Sequence, residues 1–201
     1  MTQTLDPDTR AVVAFLRGAV TASGMSQGSF ARALGTSASR LSTYLSGTTR
    51  PSGHFCARAK RLAHSLATAA SSGLMSAPAT AAAVREELLA AERDWAWRMM
   101  LQGRDHLRLM LEKQDGDLIS SWEAAPSSTG STEFDTLLAA LARHEFETAG
   151  LAAPEWTLVE PLPAPWIPEH PFLSPERAVA KTPQWLRELN VYVPERDLVT
   201  A

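Results

Sequence analysis

The stretch from Met25 to Gly47 constrains this chain more than any other, because it fixes the lengths of two helices and of the turn between them. Ser26 is a good N-cap, with a hydroxyl able to satisfy free amides at a helix start. Phe30, Ala31 and Leu34 then fall on one face at helical spacing. Gly35 follows at once, where a tight turn needs a residue comfortable at positive φ. Ser37 caps a second helix, Leu41 and Tyr44 supply its buried face, and Gly47 ends it before Pro51 restarts the chain. Two short helices joined so tightly must cross steeply, and small Ala31 suits their close approach. A steep crossing lets the second helix project from its domain.

Charge separates this part of the chain from the rest. Residues 1–72 hold eight basic residues (Arg10, Arg17, Arg32, Arg40, Arg50, Arg58, Lys60 and Arg61) against Asp6 and Asp8, a net +6. The remaining 129 residues hold 11 basic and 20 acidic residues, a net −9. Such asymmetry points to one segment that meets a polyanion and another that does not.

The residues Ser26, Gln27, Ala31, Leu34, Gly35, Ser37, Leu41, Ser46 and Gly47 resemble, in type and spacing, the Xre/Cro-like phage-repressor helix-turn-helix family. The resemblance covers about residues 9–68, including flanking helices at Thr9–Ser23 and about Ser52–Ala69. Gly28, Ser29 and Leu45 depart from the family pattern. The resemblance implies a five-helix-type DNA-binding domain within 1–72, whose second motif helix reads bases in the major groove through Ala38, Ser39, Arg40, Ser42 and Thr43. Arg40 is the strongest of these on chemical grounds, since a guanidinium can bond guanine O6 and N7 together. Phosphate contacts are implied for Ser26, Gln27 and Ser37 at helix starts, and for Thr48, Thr49 and Arg50 beyond the second helix. The implied ligand is double-stranded DNA, bound by a homodimer.

Residues 73–201 read as a separate, α-rich assembly or partner-binding region. Ser71-Ser72-Gly73 and Ser76-Ala77-Pro78 mark a break. Val84, Leu88, Ala91, Trp95, Met99, Gln102, His106 and Leu109 then recur at steps of three and four, predicting one long helix over about 80–113. A shorter helix is expected over about 133–148, with Phe134, Leu137, Leu138, Leu141 and Phe146 inward and Gly150 as C-cap. Nine of the 13 prolines lie between Pro154 and Pro194, which excludes long helices from the tail at 151–201. Trp156, Trp166 and Trp185 in the same stretch argue for packing rather than disorder. A short helix near Pro183–Glu188 and a strand at Asn190–Val193 are expected there. The fold class is mainly α.

No constellation for catalysis stands out, and the expectation is a regulator rather than an enzyme, without cofactor or metal. His54 and Cys56 are too few for zinc, and His64, His106, His144 and His170 share no ligand spacing. His144-Glu145 has no nucleophile or second carboxylate in a recognisable relation to it. The 11 glycines are dispersed, so no phosphate-cradling loop is present. Met99, Met100 and Met110 with the two long-helix tryptophans fit either a core or a surface for a small effector or protein partner within 80–201. The segment from Trp122 onward loosely resembles C-terminal regions of bacterial helix-turn-helix proteins, some thought to be encoded beside nucleotidyltransferase-like toxins; an antitoxin masking such a toxin is the alternative reading. An undetected enzyme in the C-terminal region is a third. A lone Cys56, a polar start at Met1–Arg10 and no apolar run of membrane length lead to an expected cytoplasmic location.

Overall fold

The computed structural model describes residues 5–168 and 175–198. The fold is mainly helical, about two thirds helix, with no strand among the described residues. The chain divides into two compact units: residues 1–74 with 116–125, and residues 75–115 with 126–201.

In the first unit, α1 (Pro7–Ser23) starts where Asp6 accepts the Thr9 amide and Pro7 occupies the first turn, and it stops at Gly24, φ 67°. Two short helices follow, α2 (Gln27–Ala33) and α3 (Ala38–Leu45), then α4 (Gly53–Ser71), capped by Ser52. Leu16, Phe30, Ala31, Leu34, Leu41, Ala59 and Leu66 form the core that these four helices share. Among the described residues of 1–72 there are therefore four helices where a five-helix-type domain was expected. The missing helical piece comes from much later in the chain. The short α7 (Gly116–Ile119) and the 3-10 turn Ser120–Trp122 pack on α4, and Ala124 joins the core. His64 on α4 faces Asp117 on α7, Nε2 to Oδ2 3.6 Å. The expected boundary at residue 72 thus omits twelve residues of the first unit, 73–74 and 116–125.

The second unit corrects a larger expectation. In place of one helix over 80–113 the chain forms a hairpin of α5 (Ala77–Leu89) and α6 (Arg93–Lys113). Ala91 sits at φ 62°, with its amide on the Leu88 carbonyl (3.2 Å) and the Glu92 amide on the Glu87 carbonyl (2.8 Å). This is a Schellman-type stop built without glycine. It resets the helical phase, so the apolar stripe carried forward from Val84 lands on the wrong side of α6. Ala96, Met100, Leu107 and Met110 are buried, while Trp95 is 49% and Leu109 36% exposed. Two of the three methionines are therefore core residues. Gly103 lets the two helices close, since a Cβ there would overlap the side chain of buried Thr80.

The helix α8 (Thr132–Thr148), capped by Ser131, packs on the hairpin, and Gly150 beyond it has φ 73°. The buried Glu145 carboxylate accepts from Arg104 Nε at 2.6 Å and from Arg108 Nη2 at 3.0 Å, and Arg104 also donates to the Leu198 carbonyl. His106 Nδ1 accepts the Met75 amide at 2.9 Å, so that nitrogen is unprotonated; burial, against the pull of Asp105, lowers its pKa. In the tail, α9 (Pro175–Lys181) and α10 (Gln184–Arg187) are short. The expected strand at 190–193 is only a single parallel bridge between Trp166 and Val191. The cause is the opposing segment, where Pro161, Pro163, Pro165 and Pro168 offer no amide to extend a ladder. Trp185 stacks on His144 with centroids 4.3 Å apart, and Trp166 meets Phe134 at 5.4 Å. His170 lies outside the described residues.

Candidate nucleic-acid interface

Local chemistry fixes α2 and α3 before any long-range contact is needed. Ser26 accepts the Ser29 amide and opens α2. Gly35 takes φ 63°, with the Thr36 amide on the Ala31 carbonyl at 2.9 Å, so α2 ends in one residue of left-handed backbone. Ser37 then accepts the Arg40 amide at 3.1 Å and opens α3. At the far end Gly47 has φ 76°, and a Cβ there would come within 2.8 Å of Leu5. Both the conformation and the space demand glycine.

The two faces of α3 differ. Leu41 is fully buried, and Tyr44 packs on Phe55 with ring centroids 5.0 Å apart. On the outer face Ala38, Ser39, Arg40 and Ser42 are exposed. Thr43 is half-buried and its hydroxyl donates to the Arg40 carbonyl at 2.8 Å, while Ser39 and Ser37 hydroxyls lie 3.0 Å apart. Arg40 and Ser42 side chains make no polar contact among the described residues, so both remain available. Arg17 of α1 donates through Nη2 to the Leu45 carbonyl at 3.1 Å, a cation at the negative end of α3.

The six expected phosphate-contact residues are all exposed. Gln27 is uncommitted among the described residues, whereas Ser26 shares its hydroxyl with Ser29 at 2.9 Å. Thr48 pairs with Ser46 (2.8 Å), and the Thr49 amide returns to the Thr43 carbonyl (3.1 Å), so the segment after α3 is folded back on it. Arg50 donates through Nη2 to Asp6 at 2.9 Å. Thr9 at the start of α1, aided by Arg50, lowers the Asp6 pKa to about 2.

Sequence reading brings Asp6, Arg17 and Trp122 into no site, although the Asp6-Pro7 start of a helix is legible as a cap. The pairings of Arg17 with Leu45 and of Arg50 with Asp6 span 28 and 44 residues, and no periodicity encodes them. All eight basic side chains of residues 1–72 are exposed. With Asp117 and Glu123 included, the first unit holds eight basic and four acidic residues, net +4, leaving −7 on the second. Elsewhere, no group of three or more His, Cys, Asp or Glu residues among the described ones could hold a metal ion. Burial pushes the Cys56 thiol up, away from reactivity. No described helix is long and apolar enough to cross a membrane. The chain matches no family model, no curated protein and no solved structure.

Proposed function

We propose that the protein is a sequence-specific double-stranded DNA-binding regulator of the Xre/Cro-like type, with α3 as the helix that enters the major groove. One observation carries this reading: α3 is fixed at both ends and along its inner face, while its outer face presents an exposed, uncommitted Arg40 beside Ser42. A helix held this way loses little further freedom on docking, so its side chains meet base edges at small entropic cost. Ala38, Ser39 and Thr43 complete the base-facing set. Ser26, Gln27, Ser37, Thr48, Thr49 and Arg50 border it as phosphate contacts, and the exposed basic residues of the first unit supply the sequence-independent attraction.

The test is selection of binding sites from random duplexes, with Arg40→Ala alongside the parent protein. Arg40→Ala should lose preference at one base position, a discrimination of about 1–3 kcal/mol, and keep salt-sensitive residual binding. Indifference of the parent protein to duplex at low ionic strength overturns the reading. The protein acts as a dimer on an inverted repeat, repressing transcription; light scattering of a monomer even on selected DNA argues against that part. The net −7 of the second unit favours a basic protein as an additional ligand, which supports antitoxin action as a second reading. Co-purification with the product of an adjacent gene separates it from a stand-alone repressor.

A further inference from the structure

The only two acidic residues of the first 72, Asp6 and Asp8, both stand at the start of α1; Asp6 pairs with Arg50 at 2.9 Å, and Asp8 lines the same cleft as Arg50. In a segment that meets a polyanion this is an unexpected place for them. The cleft there is lined by Asp8, Thr9, Val12, Tyr44, Thr49 and Arg50, so the end of α3 and the start of α1 form one wall. Leu5 and Thr9 crowd Gly47 from the same side. Among the described residues the Arg50 guanidinium is held to that wall by one polar contact, Nη2 to Asp6 Oδ2, and its side chain is 78% exposed.

From this geometry we propose that Asp6 is a positioning residue for DNA binding: it orients Arg50 so that the remaining guanidinium donors face a backbone phosphate next to the groove that α3 enters. The inference rests on the DNA-binding reading given above. A carboxylate near a phosphate also repels it, so the balance must be weighed. Here the Asp6 carboxylate accepts three donors, the Thr9 amide at 2.9 Å, the Thr9 hydroxyl at 2.6 Å and Arg50 at 2.9 Å. Its charge is spread over those partners and drawn toward the α1 N-terminus, whose dipole offsets it. Arg50 gives up one of five donors and keeps the rest in a fixed fork suited to phosphate. A loose arginine at this exposed position would have to be ordered on binding; one already tied to a capped helix is ordered beforehand.

The experiment compares Asp6→Asn, Asp6→Ser, Arg50→Ala and Asp6→Asn/Arg50→Ala in the full chain, titrating a short mixed-sequence duplex over a range of salt. Asn and Ser both keep the N-cap, so folding survives and circular dichroism checks it. Removing a negative charge should by itself tighten binding. The proposal expects the reverse: Asp6→Asn and Asp6→Ser weaken binding roughly three- to tenfold, the salt slope becomes shallower by about one phosphate contact, and Arg50→Ala does the same. The double variant should be no weaker than Arg50→Ala alone. Tighter binding by Asp6→Asn, or additive losses in the double variant, overturns the proposal, because Asp6 then masks Arg50 or acts independently of it. An Arg50→Ala variant that binds like the parent overturns it too. Absence of duplex binding by the parent protein instead overturns the DNA-binding reading on which it stands.

Discussion

At the scale of single residues, the second unit is fastened by a charge cluster that sequence alone presented as an isolated His144-Glu145 pair. Glu145 is buried and answers two arginines, one of which, Arg104, is itself only 7% exposed. Burial alone would raise the Glu145 pKa, but hydrogen bonds from Arg108 and Arg104 outweigh it and hold the carboxyl below its ordinary 4.5. A depressed carboxyl pKa contributes stability that is complete above pH 4.5 and is lost as pH falls through the folded value. Glu145→Ala leaves Arg104 buried without its counter-charge, and such a removal costs about 3–5 kcal/mol. Urea unfolding at neutral pH should show that loss and, for the variant, a flatter decline of stability on acidification. Arg108→Ala should cost far less, since Arg108 is 43% exposed and Arg104 remains in place. Equal losses from the two would mean that the burial of Arg104 is not what sets the energy.

At the scale of elements, what could be read from sequence divides by whether a local rule governed it. The helix pair from Ser26 to Gly47 was legible because two serine caps and two glycines at positive φ each mark a boundary. The turn between α5 and α6 was not, because Ala90-Ala91-Glu92 holds no glycine, proline or asparagine. Alanine in the left-handed region is strained, and the two Schellman hydrogen bonds and the packing of α5 on α6 keep it there. The close approach at Gly103 and Thr80 is part of that packing and, being a contact between helices, leaves no periodic trace. The strain gives a prediction. Ala91→Gly removes the steric cost at φ 62° but adds backbone freedom to the unfolded chain. The first effect is the larger at a left-handed position, so the substitution should stabilise the second unit by about 0.5–1 kcal/mol, read as a higher urea midpoint with unchanged slope. Destabilisation by Ala91→Gly would show that Ala91 carries no strain.

At the scale of the whole molecule, the chain passes between the two units three times, at residues 74–75, 115–116 and 125–126. The hairpin of α5 and α6 is thus an insertion in the first unit rather than the start of a simple appended domain. Composition could not reveal this, since Gln114-Asp115-Gly116-Asp117 reads as an ordinary helix stop. The consequence is energetic. Trp122 is 1% exposed, the 3-10 turn that carries it packs on α4, and Ala124 belongs to the same core as Leu16 and Phe30. Truncating a buried tryptophan to alanine costs about 3–5 kcal/mol, a large share of the stability of a domain of this size. A fragment of residues 1–74 should therefore melt well below the same fragment joined by a short linker to residues 116–125, and Trp122→Ala in the joined version should return it to the level of the shorter one. Duplex binding at low salt should follow the same order, since α3 presents its outer face only while Leu41 stays buried. If residues 1–74 alone melt at the same temperature as the joined fragment, the later segment adds nothing to that core, and the unit ends at residue 74.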